Sequence, residues 1–150
     1  MNPLTFVDSG VLLAAFDVDA PRRERARQWL VHCWTQRTGR LSTQVLDAFY
    51  AQARARYPSA LSAGDARAEV RRYQLWHPWS TDHATVESAW AVESRWGLPY
   101  ADALLIASAQ QQSCEWFLSE TLPHGQVIDR VSILNPFQVD PVVAGSGRST

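Results

Sequence analysis

The sequence predicts an α/β fold: a central, mainly parallel sheet with helices on both faces. Three observations carry that expectation. Short apolar strands alternate with amphipathic helical stretches along the chain. No internal repeat or Pro/Gly/Ser-rich linker interrupts the alternation. The 150 residues, 46% of them hydrophobic, suit one core that buries roughly 70% of the unfolded surface.

Leu4–Asp8 reads as a strand that runs into the small residues Ser9 and Gly10, and a helical stretch follows over Val11–Phe16. Asp19 and Pro21 mark a new helix start, with the aspartate near the cap and proline in the first turn. From there to about Gln36, Ala26, Trp29, Leu30 and Cys33 recur at helical spacing until Gly39. Arg40–Thr43 is a short strand candidate, and Ser42 or Thr43 caps a helix whose stripe is Val45, Leu46, Phe49, Tyr50 and Ala53. Pro58 breaks the pattern. Ser62 with Asp65 forms a capping-box pattern before a short helix to about Gln74. Leu75–Ser80, interrupted by Pro78, is at best an edge strand. Thr81 or Asp82 then caps a helix closed by Gly97, and Pro99 opens another with a buried Ala103–Ala109 stretch. Trp116–Ser119 and Val131–Leu134 complete the strands. The domain is expected over residues 1–138, with residues 139–150 as a flexible tail.

Fourteen cations oppose fifteen anions, for a net charge of -1 and a pI of about 6.4. All the cations are arginine, and there is no lysine. That absence excludes a P-loop nucleotidase, which needs its lysine on the phosphates, and Schiff-base chemistry, which needs the amine. Phosphoaspartyl chemistry is set aside for the same reason, and because no second aspartate lies two residues after Asp8. No apolar run reaches the ~18 residues of a membrane span. The N-terminal MNPLTFVDSG lacks the regions of a signal peptide, so a cytoplasmic protein with no membrane partner is expected. Cys33 and Cys114 have no CxxC spacing and suggest neither zinc nor a disulfide. Near-neutral charge argues against a broad electrostatic nucleic-acid binder, though not against a local basic groove.

In sheets of this kind ligands bind beyond the carboxyl ends of the strands. Asp8 ends the first strand, Glu120 follows the Trp116–Ser119 strand, and Asp102 stands in the first turn of the buried helix. A fourth acid, Asp47, lies one turn into the helix after the second strand. Carboxylates gathered in this way repel one another unless a cation neutralises them. Oxygen ligands suit Mg²⁺ or Mn²⁺, which keep waters for a substrate phosphate or an activated hydroxide. Each acid alone also has an ordinary role, as a turn former, a helix-terminus charge or a solvated carboxylate.

Four ordered segments resemble the successive motifs of PIN-domain proteins, within the branch of VapC-type toxins. They are VDSGVLLAAFD (7–17), STQVLDAFY (42–50), GLPYADALLIASA (97–109) and LSETLPHGQVIDRVSILNPF (118–137). The resemblance implies a PIN fold and a metal-dependent ribonuclease class whose site holds about four acids. It further implies a homodimer neutralised by a cognate antitoxin, with RNA as substrate. Asp8 matches the family's first aspartate, and Asp102 matches the aspartate of its D-A-L motif. The glutamate of the second motif falls on Ala48, and the final aspartate falls on Thr121. Ser9-Gly10 stands where the family has Thr-Asn, and Ala101 where a large residue precedes the aspartate.

Each vacant position has an acid immediately before it. Asp47 is a candidate compensating acid but a poor one, because one residue on a helix turns the side chain by about 100°. Glu120 is better placed, at a strand end and on a longer stem. The resulting assignment is Asp8, Asp102 and Glu120 as catalytic residues, with Asp8 and Asp102 holding one weakly bound Mg²⁺ or Mn²⁺. Ser9 and Ser119 are supporting hydroxyls beside it, since neither has a nucleophile-elbow sequence. Two readings of different class follow: a one-ion endoribonuclease of reduced activity, or an inactive PIN-fold module binding RNA or a protein partner.

The remaining features read as structural. Most of the seven tryptophans fall on apolar helix faces and fit core packing better than base stacking. The arginines in Arg22–Arg27 and at Arg54, Arg56, Arg67, Arg71 and Arg72 fit a solvated face better than an RNA channel. His124 reads as part of a turn, and His32, His77 and His83 lack metal-ligand spacing.

Overall fold

Three-residue strands with no exposed face organise the molecule. In the computed structural model, which describes residues 2–146, β1 (Thr5–Val7) and β3 (Trp116–Leu118) are buried at every position. A strand buried on both faces needs cover on both sides, as parallel sheets have. β2 (Gly39–Arg40), β4 (Val127–Ile128) and β5 (Val131–Leu134) complete a five-stranded sheet in the order β2-β1-β3-β5-β4. The β1 register pairs Thr5 with both Gly39 and Trp116, and β3 pairs Leu118 with Leu134, all parallel. Phe6 stacks on Phe117 across β1 and β3, with ring centroids 5.0 Å apart. Only β4 is antiparallel, joined to β5 through Asp129 at φ 55°, a left-handed conformation that aspartate tolerates. A two-residue edge strand carries too little pattern to be read from sequence, and β4 was not expected.

The helices begin where polar side chains can cap them. Asp8 caps α1 (Ser9–Ala14). Pro21 sits in the first turn of α2 (Ala20–Gln36), and Asp19 is its N-cap without a side-chain bond. Ser42 Oγ accepts from Val45 N at the start of α3 (Thr43–Arg56). Ser62 Oγ accepts from Asp65 N at the start of α4 (Ala63–Arg72). Asp82 accepts from the backbone and hydroxyl of Thr85 at the start of α5 (His83–Trp96), which Gly97 closes at φ 68°. α6 (Tyr100–Gln111) follows Pro99 and packs against α5.

Leu75–Ser80 does not form a strand. A 3-10 turn over Tyr73–Trp76 packs its rings against Trp34, leaving only a Ser42–Trp79 bridge beside the sheet. Where the sequence suggests fraying from Val139, a short helix α7 (Pro141–Ser146) packs near α2 and buries Pro141. Residues 147–150 of the expected tail lie outside the described residues. Cys33 and Cys114 are buried free thiols pushed up to about 12 by burial, so neither is a reactive nucleophile. No described helix is long and apolar enough to cross a membrane.

Candidate active site

β1 and β3 are neighbours, and the chain leaves β1 toward β2 on one side and β3 toward β4 and β5 on the other. The carboxyl ends of β1 and β3 therefore border the switch-point crevice where such sheets bind ligands. Asp8 closes β1 there, with its backbone N–H donating to Leu118 O at 3.3 Å. Its carboxylate Oδ1 accepts from Ser9 N at 2.7 Å as the cap of α1. Burial raises the Asp8 pKa, and the charges of Asp102 and Glu120 raise it further. Hydrogen bonds from the Ser9 backbone and hydroxyl oppose that shift. The result is a desolvated carboxyl crowded by like charge, which is a common setting for a functional acid.

The half-buried Asp102 reaches this point from the first turn of α6. Gln44 Nε2 donates to Ala101 O at 3.3 Å and ties the start of α6 to α3. Glu120, just past β3, belongs to the same crevice but already has a cation. Arg22 of α2 grips it in bidentate fashion: Nη1 meets Oε2 at 2.7 Å and Nη2 meets Oε1. Arg22 Nε also donates to Asp17 Oδ2 at 3.1 Å, and its guanidinium lies 4.2 Å over the Phe137 ring. The hydrogen bond to Glu120 is the main reason the Arg22 pKa rises. Glu120 is thus occupied by an internal partner and is less free than Asp8 or Asp102 to hold a metal.

The two hydroxyls have different roles. Ser9 serves the Asp8 carboxylate. Ser119 is buried and committed to its own turn, its Oγ accepting from Thr121 N at 3.1 Å and Leu122 N at 3.2 Å. Asp47 is not brought to the crevice. It is exposed and lines a cavity of about 910 Å³ between α3 and α4, with Tyr50, Arg67 and Arg71. The 100° offset from Ala48 has the effect the helix geometry predicts. The crevice itself is a cavity of about 200 Å³, whose walls include Asp8, Ser119, Glu120 and Thr121 on one side and Gln52 and Arg56 of α3 on the other.

Sequence reasoning missed Arg22 as the partner of Glu120, 98 residues away, and missed Gln52 altogether. Nothing in the run Arg22–Arg27 distinguishes the arginine that turns to the acids. The other three hold backbone carbonyls: Arg23 that of Asp17, Arg25 that of Pro136 and Arg27 that of Ala15. His124 has the turn role expected of it, with Nδ1 accepting from Asn135 N at 2.9 Å.

The donor set suits one hard, hydrated divalent ion. Such an ion needs only one or two protein carboxylates, with water and phosphate oxygens completing its shell. It does not suit an all-protein cage: among the described residues no group of three or more His, Cys, Asp or Glu side chains is placed to enclose a metal.

Solved structures share this architecture at low identity. A toxin–antitoxin complex from Klebsiella pneumoniae is 16% identical with a TM-score of 0.66, covering 88% of this chain and 97% of that one. FitAcB from Neisseria gonorrhoeae is 15% identical with a TM-score of 0.64, covering 90% and 99%. VapC20 from Mycobacterium tuberculosis, described as a sarcin-ricin loop cleaving toxin, is 19% identical with a TM-score of 0.58, covering 75% and 86%. No curated protein matches the sequence. The family model for the PIN domain matches residues 5–120, a span that takes in β1, β3 and the acids Asp8, Asp102 and Glu120, and the chain belongs to the PIN domain family.

Proposed function

We propose that this chain is a metal-dependent endoribonuclease of the VapC-type toxin class, working at reduced activity with one Mg²⁺ or Mn²⁺. What supports the reading is the half-buried Asp8 at the carboxyl end of β1, whose pKa is raised by burial first and by the charge of Asp102 after it. Asp8 and Asp102 would hold the ion. When bound, the ion supplies Lewis-acid polarisation of a phosphate oxygen and a more acidic water. The chain's own contribution is positional. Ser9 fixes the Asp8 carboxylate, and Arg22 neutralises Glu120 so that it does not add its full charge to the pair. Hydrolysis adds water across the phosphodiester: the water oxygen bonds to phosphorus, the bond to the leaving oxygen breaks, and that oxygen takes a proton from solvent. A cognate antitoxin and a homodimeric assembly belong to the same proposal. The Klebsiella structure, a toxin–antitoxin complex, supports the antitoxin.

The Arg22–Glu120 pair, together with Ala48 and Thr121 in place of two family acids, favours a second reading: a module that binds RNA or a protein without cutting. Cleavage of a labelled single-stranded RNA separates the two. Under the first reading the parent cuts slowly in Mn²⁺, EDTA stops it, and Asp8→Asn reduces it to background. Ala48→Glu with Thr121→Asp then raises the rate on the order of 10²-fold. An inert parent beside an active double variant would establish the second reading.

A further inference from the structure

The crevice has a second wall that the acids do not explain. Ala48, Gln52 and Arg56 follow one another at i, i+4 and i+8 on α3 and therefore share a face. Gln52 and Arg56 line the same cavity as Asp8 and Glu120. At Ala48 the stripe lacks the family's glutamate; one and two turns on it presents an amide and a guanidinium. Among the described residues, the side chains of Gln52 and Arg56 have no hydrogen bond or ion pair within the protein. Gln52 is half-buried and Arg56 exposed, so one is positioned by the wall and the other is free to reach across the opening. Every other arginine near the crevice is occupied. Arg22 holds Glu120 and Asp17, while Arg23, Arg25 and Arg27 hold carbonyls.

Asp8, with Asp102 alongside and Glu120 already paired with Arg22, gives a phosphodiester no attraction from that wall, so seating one needs a donor opposite. Arginine binds phosphate through paired N–H donors, and a glutamine amide adds a neutral donor. We infer that Gln52 and Arg56 form a phosphate clamp that seats the backbone of a single strand across the crevice from Asp8. The clamp deepens the nuclease reading and rests on it for the identity of the strand, but its binding role requires neither metal nor cleavage.

The test is binding of a fluorescein-labelled single-stranded RNA 12-mer by anisotropy in EDTA, over a series of salt concentrations. Arg56→Ala is expected to weaken binding about 10-fold and to reduce the slope of log K against log salt by about 0.7, the value for one lost contact to a single strand. Arg56→Lys keeps the charge, and with it most of the slope, but loses affinity because the paired donors are gone. Gln52→Ala weakens binding with the slope unchanged. Arg54→Ala, about 200° away around the same helix, is the matched loss of charge outside the pocket and is expected to leave both quantities unchanged. Equal behaviour of Arg56→Ala and Arg54→Ala overturns the clamp, as does a parent that binds no RNA. A parent that binds with this pattern yet shows no Asp8-dependent cleavage retires the nuclease reading alone.

Discussion

Asp8 closes β1 and caps α1 with one carboxylate, and the two roles pull its chemistry in opposite directions. The bond from Ser9 N stabilises the anion, while burial and the neighbouring charges of Asp102 and Glu120 disfavour it more strongly, so the pKa rises on folding. An acid with a higher pKa in the folded state binds more protons there than when unfolded. The contribution of Asp8 to stability is therefore greatest below the ordinary aspartate value and falls as pH rises through the interval up to the raised folded value. Above that interval the cost is constant. Asparagine keeps the cap, because its amide oxygen can accept from Ser9 N, and it removes the charge. In EDTA, Asp8→Asn is expected to be more stable than the parent at pH 7, with the difference shrinking to nothing near pH 3. Each kcal/mol recovered would appear as about 2–4 °C in melting temperature for a chain of this size. Thermal melts of both proteins across that pH range check the prediction, and equal melting points at pH 7 would contradict it. A residue that destabilises its own fold at working pH is understandable where charge is needed for function. This much was legible in the sequence, since an acid ending an apolar strand is a local pattern. What no local pattern could supply is the partner of Glu120, because Arg22 reaches it from 98 residues away only after the chain has folded.

Elements bounded by side-chain caps were the most legible, because a cap is decided within four residues. Ser42, Ser62 and Asp82 each accept from the backbone three positions on, as their sequences suggest. Elements decided by distant packing were not. Gly39 reads in sequence as the end of a helix, yet in the fold it is a residue of β2 pressed against an aromatic cluster. A Cβ placed there would lie 2.5 Å from Cη2 and Cζ2 of Trp76. Trp76 cannot retreat easily, being packed 5.0 Å from Trp34 and 4.8 Å from Tyr73, ring centroid to centroid. The same cluster explains why Tyr73–Trp76 coils into a turn instead of extending along the sheet edge. Gly39→Ala therefore overpacks the contact and is expected to cost about 1–3 kcal/mol. Urea unfolding followed by tryptophan fluorescence measures the loss, with a shifted native emission reporting displacement of Trp76. An unchanged midpoint would mean that the turn moves aside freely.

At the scale of the whole molecule, the crevice depends on a segment that sequence reasoning placed at the edge of the domain. The carboxyl-end rule for α/β sheets pointed to Asp8, Asp102 and Glu120 from their places after β1, in the first turn of α6 and after β3. It says nothing about what braces them. After β5 the chain runs back over α2: Pro136 O accepts from Arg25, the Phe137 ring lies under the Arg22 guanidinium, and Val139 O accepts from the Trp29 indole at 2.9 Å. α2 in turn carries the arginine that holds Glu120. Composition alone put a boundary at residue 138, because glycine and serine beyond it suggest a tail. If the residues beyond 138 were only a tail, deleting them would be silent. Deletion of residues 139–150 instead leaves the fully buried Trp29 without an acceptor for its N–H, a loss of about 1–3 kcal/mol, and exposes the surface that Pro141 covers. Trp29→Phe removes the donor, so in that background the deletion no longer orphans it and is expected to cost less. A double-mutant cycle built from urea midpoints isolates the coupling, with about 1 kcal/mol expected between the indole and the C-terminal segment. Additive losses would show that the deletion acts only through the burial of Pro141 and its neighbours.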